Sequence, residues 1–375
     1  MQTLTPDFIF KNLMTTTSLI ESSTIPEKTK QLVHSERLIS LWALSEAALG
    51  GVLHAFQIPF TGLFINSSAV LFMVLIASTA EKKGTILKAT LIVLIVKGMV
   101  SPHTPLAAFI AVGFQGLVGE ILLRSRRHLL FASVTLGIVT LLQSAIQKII
   151  VLTLVFGNTL WESIDIFGNF VLKQLPFFTP QSDPLDISLW LITIYIGIHL
   201  LAGIGVGILA AKVPGWIAQE IKNDRKKYKI DGSPPVLEIK TNRKKKNWLQ
   251  KPSSLLILLL AGIIIVSSYI FPEISGTQGV KALVMIFRSI CIMFLWYMLV
   301  GPYLFKIYQK FLKSKQNAYA EEVQQTIQIL PSLRYIIYQS WEKSRDFRRF
   351  RKIKAFIMLA LINILTADFV RDENN

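Results

Sequence analysis

Apolar runs broken by short polar or basic connections set the rhythm of the chain, and they fall at 37–56, 62–80, 85–100, 105–123, 129–156, 187–211, 254–271 and 280–305. Roughly 20 apolar residues, rising 1.5 Å each, cross the hydrocarbon layer of a bilayer. Within that layer a helix is the open-ended structure that satisfies its own backbone groups. Each run therefore predicts a membrane-spanning helix. One more apolar stretch, 355–370, is short and follows a basic run; a tilted span and an interfacial helix fit it equally. The expected fold class is all-α: a polytopic membrane protein with a six-helix bundle, a C-terminal helical hairpin, basic cytoplasmic helices and a short C-terminal apolar helix.

The connections alternate in charge. Lys82, Lys83 and Lys88 flank the second, Arg124, Arg126 and Arg127 the fourth, and Lys212 to Lys251 hold a dense basic stretch. The intervening connections are poor in Lys and Arg: 157–187 has only Lys173 against Glu162, Asp165, Asp183 and Asp186. Basic loops stay in the cytoplasm, so the N-terminus is expected there in a multi-pass cell-membrane (inner-membrane) protein. This organises the chain as a cytoplasmic segment 1–36, a six-helix domain 37–212, a basic linker 213–252 around Pro234-Pro235, a transmembrane hairpin 253–305 and a cytoplasmic tail 306–375 interrupted at Leu330-Pro331. No internal repeat of fixed length is visible.

Composition agrees. Charged residues make up 17% of the chain, against about 25% in soluble domains, and the mean hydropathy is +0.49. The net charge of +17 would suit nucleic acid, but beside membrane spans anionic lipid headgroups account for it; membrane lipids, not nucleic acid, are the expected partner. The residues through Arg37 lack the pattern of a secretory signal, so insertion is expected from the spans themselves. Cys291 is the lone cysteine, which excludes an intrachain disulfide and a thiolate metal cage. Phosphate-loop, zinc-hydrolase and nucleophile-elbow motifs are absent. No enzymatic activity, metal or cofactor is expected.

Polar side chains at membrane depth are costly and usually meet a cavity, a partner group or another subunit. Ala43, Ala47 and Gly51 recur every four residues on the first helix, a small-residue stripe that admits a second helix closely. Packing within the chain and docking of a separate subunit are equally good readings of it. Glu46 and His54 lie on the adjacent stripe, Glu46 as a structural group and His54 near the outer mouth. Lys97 and His103 flank the proline-broken end of the third span, where a snorkelling lysine and a ligand contact are alternatives. Gln115 and Glu120 follow on the fourth span, Glu120 spaced to pair with Arg124. Gln143, Gln147 and Lys148 cluster on the fifth, and His199 shares a stripe with Tyr195, Gly203 and Gly207 on the sixth. A concave site built from Lys97, Lys148, His54, His103 and His199 would favour an anionic solute. The alternative is a non-transporting scaffold or assembly protein whose polar groups lock helices together. A lipid transferase would have only His103 to offer.

The segment Ala43-Leu44-Ser45-Glu46-Ala47, the loop Ile58-Pro59-Phe60-Thr61-Gly62, the long connection 157–187 and the run His199–Gly207 resemble the substrate-binding S component of energy-coupling factor transporters, over about residues 37–212. The resemblance implies an S-component-like six-helix bundle that binds a vitamin-like micronutrient near the outer surface. It implies docking through the alanine stripe to a coupling subunit, and two cytoplasmic ATPases that drive uptake. An ordinary S component lacks the C-terminal unit, whose Ser344-Arg345-Asp346 resembles a poor version of the coupling subunit's signature.

Overall fold

The computed structural model describes residues 35–49, 60–80, 82–101, 104, 106–125, 128–174, 184–223, 278–346 and 350–366. Every regular element among them is helical: α1 (Ser35–Leu44, running on as a π turn Ser45–Leu49), α2 (Thr61–Thr79), α3 (Thr85–Val100), α4 (Leu106–Leu123), α5 (Leu129–Phe156), α6 (Asn158–Lys173), α7 (Ile187–Asn223), α8 (Gln278–Leu295), α9 (Gly301–Gln316), α10 (Ala320–Lys343) and α11 (Phe350–Thr366). Five helical stretches are long and apolar enough to cross a membrane: α2, α4, α5, Ile187–Gln219 within α7, and Val284–Lys343. This is the architecture of a multi-pass helical membrane protein. The first helix of the expected hairpin, 254–271, lies outside the described residues, as do 1–34, 224–277 and 367–375.

The chain divides into two units. The first comprises residues 1–141, 201–239 and 312–375, the second 142–200 and 240–311. At the centre of the first is α1. Every residue from Leu38 to Ala47 is buried, more than two helical turns covered on all sides, because α2, α3, α10 and α11 all pack on it. A helix apolar on one face only would leave the other in contact with solvent or lipid; here Leu38, Ile39, Leu41, Trp42 and Leu44 are all buried, Trp42 fully, and Ser40 and Ser45 return their hydroxyls to the carbonyls of Glu36 and Trp42.

Residues 306–354, expected as basic cytoplasmic helices, are helical over their described part, and from Leu312 onward they belong to the first unit. A methyl group on Gly98 of α3 would stand 3.1 Å from Leu312, the Gln316 amide donates to the Met99 sulfur, and Lys88 pairs with Glu322 at 2.7 Å. This stretch thus follows α3 from its C-terminal end back to its first turn. Pro331 does not break α10, which runs unbroken from Ala320 to Lys343. One lost backbone hydrogen bond is offset by the burial of Leu330 and Leu333 on either side. The ambiguous stretch at 355–370 is α11. Its apolar part, Ala355–Leu365, is shorter than a span, and Met358 to Leu365 are buried. Arg37 donates to the carbonyls of Ile364 and Leu365 at 3.3 and 2.9 Å, placing a cation at the negative end of α11.

In the second unit, residues 158–173, read from the sequence as part of a long connection, form the amphipathic helix α6. Three ties hold it. Trp161 Nε1 donates to Thr153 Oγ1 of α5 at 3.0 Å; the Asn169 amide brackets the backbone of Leu185; and the Asp165 carboxylate accepts from Ser188 N and Oγ at 2.6 and 2.9 Å, satisfying the first turn of α7. Its apolar residues Ile166, Phe167, Phe170 and Val171 are exposed, as on a helix lying in a membrane interface.

Gly157, between α5 and α6, takes φ +71 and ψ −173, a region essentially reserved for glycine. The guanidinium of Arg288 occupies the space a Cβ would need there and donates to the carbonyl of Phe156, so an intramembrane arginine closes the C-terminus of α5. Gly157→Ala is expected to cost about 1–3 kcal/mol from the backbone alone, read as a lowered Tm of the detergent-solubilised protein; an unchanged Tm would show that Arg288 does not need this glycine.

Candidate functional site

In the first unit, Lys97 reaches across from α3 to Glu46 in the π turn after α1, Nζ to Oε2 at 2.7 Å, with 6% and 1% of the two side chains exposed. The fully buried ring of Phe109 lies 5.9 Å from the ammonium, within cation–π range. An ion pair this deep is stable only while both partners are present. The second carboxylate oxygen of Glu46 and the indole N–H of Trp42, one turn earlier, are buried without a hydrogen-bond partner.

One layer over, Gln115 of α4 donates to the side-chain oxygen of Asn66 on α2 at 2.9 Å, and the Asn66 amide donates to the carbonyl of Thr140 on α5 at 3.4 Å. This amide chain ties three apolar helices at membrane depth, where interhelical hydrogen bonds are the usual connectors.

These placements correct several expectations. Lys97 and Gln115, both candidate solute contacts, are buried (4% and 0% exposed) and meet Glu46 and Asn66 of their own unit, while the side-chain oxygen of Gln115 is buried without a hydrogen-bond partner. Ala43 and Ala47 are buried inside the unit, and the chain's own α10 and α11 pack on α1. Glu120 does not pair with Arg124. Its carboxylate accepts instead from the backbone N–H groups of Gly84, Ile86 and Leu87 at 2.7, 3.2 and 3.3 Å, across the N-terminus of α3. The geometric reason is strength: three amide donors aligned with a helix dipole outcompete one exposed guanidinium.

The second unit holds the other candidates. Gln143 donates to Gln147 one turn on at 2.8 Å, and its own Oε1 is buried without a partner. Lys148, beside them, is exposed and takes part in none of the described ion pairs. His199 is 1% exposed, its Nδ1 2.9 Å from the carbonyl of Tyr195 and its ring 4.4 Å from the Tyr195 ring; the stripe seen in the sequence is a packed pair on one helix. His54, His103 and Gly51 lie outside the described residues. The candidates therefore divide between the units: Lys97 and Gln115 belong to the first, Gln143, Gln147, Lys148 and His199 to the second.

Two polar residues in the described spans escaped the sequence reading. Asn66 follows Leu63-Phe64-Ile65 on α2, and Arg288 follows Ile286-Phe287 on α8. Each is a buried polar group within a membrane-length apolar run, the same signal that drew attention to Lys97. No group of three or more His, Cys, Asp or Glu side chains among the described residues is arranged to hold a metal ion. Comparison of the chain with protein-family models, with curated proteins and with solved structures gives no match.

Proposed function

We propose that the chain is a membrane-embedded, non-catalytic binding subunit for a small anionic, vitamin-like solute, taken up with energy from a separate ATPase module, its N-terminus in the cytoplasm. The observation that carries this reading is the polar cluster on α5. Gln143, Gln147 and Lys148 sit in a helix long and apolar enough to cross a membrane, with one buried amide oxygen unanswered and an ammonium group exposed. At lipid depth such groups persist where something answers them. The resemblance of residues 37–212 to an S component points the same way, and in this reading α10 and α11 take in cis the place against α1 that the resemblance gives to a coupling subunit. Lys97 has no part in solute contact here.

A second reading, the non-transporting scaffold, draws on the first unit, where Glu46–Lys97 and Asn66–Gln115 lock helices together. The two separate cleanly. Denaturing the purified protein and analysing the released small molecules by mass spectrometry is expected to yield a micronutrient, and Gln143→Leu with Lys148→Leu to lower its retention roughly tenfold by removing a hydrogen bond and a charge, at unchanged Tm. Protein that carries no small molecule, from cells whose growth on limiting vitamins is indifferent to both substitutions, selects the scaffold.

A further inference from the structure

Where α2 ends and α3 begins, beside the end of α4, lies a cavity of about 160 Å³ with Lys82, Lys83, Thr85, Glu120 and Arg124 among its lining residues, room for roughly five water molecules. Three cations face one carboxylate there. That carboxylate is already taken: Glu120 spends both oxygens on the amides of Gly84, Ile86 and Leu87. It closes the N-terminus of α3 and holds the Lys82–Thr85 turn in shape, while Thr85 Oγ1 donates to the Lys82 carbonyl at 2.7 Å. None of the described ion pairs uses Lys82, Lys83 or Arg124, whereas Lys88, one turn further along α3, is paired with Glu322. All three free-standing cations are exposed, and the cavity floor behind them is apolar and buried, with Ile86 and Leu123 at 4% each.

We propose that this cavity binds the phosphate group of an anionic phospholipid in the leaflet facing this basic end. The position favours a lipid over a soluble phosphate. Three apolar helices terminate here, where a span meets the headgroup region of a bilayer, and Leu117 and Ile121 on α4 and Leu87 on α3, on the helices that line the cavity, are exposed and offer an acyl chain an apolar surface. Basic pockets between membrane helices take such headgroups through charge and hydrogen bonding together. The site is separate from the α5 cluster and stands whether or not that cluster binds a solute.

The full chain, reconstituted in vesicles of mixed phosphatidylcholine and phosphatidylglycerol and then extracted in mild detergent, is expected to retain phosphatidylglycerol preferentially in native mass spectra. Lys82→Gln, Lys83→Gln and Arg124→Gln should each weaken the preference roughly fivefold, while Lys82→Arg with Lys83→Arg keeps it. Because all three positions are exposed, the glutamine variants should match the parent Tm in phosphatidylcholine alone. Equal retention of the two lipids by the parent, or an undiminished preference in the triple glutamine variant, overturns the proposal. Stabilisation by millimolar inorganic phosphate equal to that by phosphatidylglycerol, and lost in the same variant, overturns the lipid assignment.

Discussion

Lys97→Met is expected to destabilise the first unit by about 3–5 kcal/mol, because it strands the Glu46 carboxylate in a site 1% exposed without its counter-charge. Adding Glu46→Gln should recover most of that loss. A buried pair replaced as a whole is often nearly neutral, since desolvation of both charges disappears along with their attraction. The glutamine would also leave a donor to meet a neighbouring oxygen. Thermal unfolding of the two single variants and the double in the same detergent completes the cycle, and a coupling energy above about 2 kcal/mol would identify the pair as an internal lock. The competing reading of Lys97 as a solute contact predicts the opposite pattern: unchanged Tm in Lys97→Met, loss of solute, and no rescue by Glu46→Gln. The same substitution thus decides between a structural and a binding role for the most deeply buried lysine described.

How much of this was visible in the sequence depended on whether the signal was local. The spans at 62–80, 105–123 and 129–156 coincide closely with α2, α4 and α5, since bilayer thickness sets a length and hydropathy marks it. Partnership was not local. Lys97 finds its partner 51 residues away, and nothing in the spacing of Glu46 and His54 announced that Glu46, in the turn after α1, would face α3. The stripe Ala43, Ala47 has the pattern of a close-packing face, but packing within the chain and docking of another subunit share that pattern of small residues, and nothing in it announces the packing of α10 and α11 on α1. In α6, Leu160, Ile164, Phe167 and Val171 recur at helical spacing, yet the acids Glu162 and Asp165 made the segment look like an outer loop. Asp165 is in fact an N-terminal cap for α7, a use of charge that depends on a turn no periodicity encodes. At Pro331 the error ran the other way: a local helix breaker was overruled by packing on both sides of it.

The second large effect is expected at the crossing of α5 and α7 in the first unit. A methyl group on Gly203 would lie 2.8 Å from the carbonyl oxygen of Gly137, and one on Gly207 would lie 2.6 Å from the carbonyl oxygen of Ser133 and against the Cα of Val134. These obstacles are backbone, not the ends of flexible side chains, so they yield only if the helices part. Gly203 and Gly207 are one turn apart and face the same neighbour, the small-xxx-small arrangement that lets membrane helices approach through their backbones. Gly207→Leu is therefore expected to cost about 3 kcal/mol or more, at the upper end of overpacking penalties, and Gly203→Leu a similar amount. The pair together should fall short of the sum, because helices already pushed apart by one leucine accommodate the second. Gly205, between them, has open space where its Cβ would stand, and Gly205→Leu should leave Tm within about 0.5 kcal/mol of the parent. Thermal unfolding of the three single variants and the Gly203/Gly207 double variant tests the geometry directly: a Gly205→Leu loss equal to that of Gly207→Leu would mean that α7 meets α5 on a different face, and with it this helix crossing would have to be redrawn.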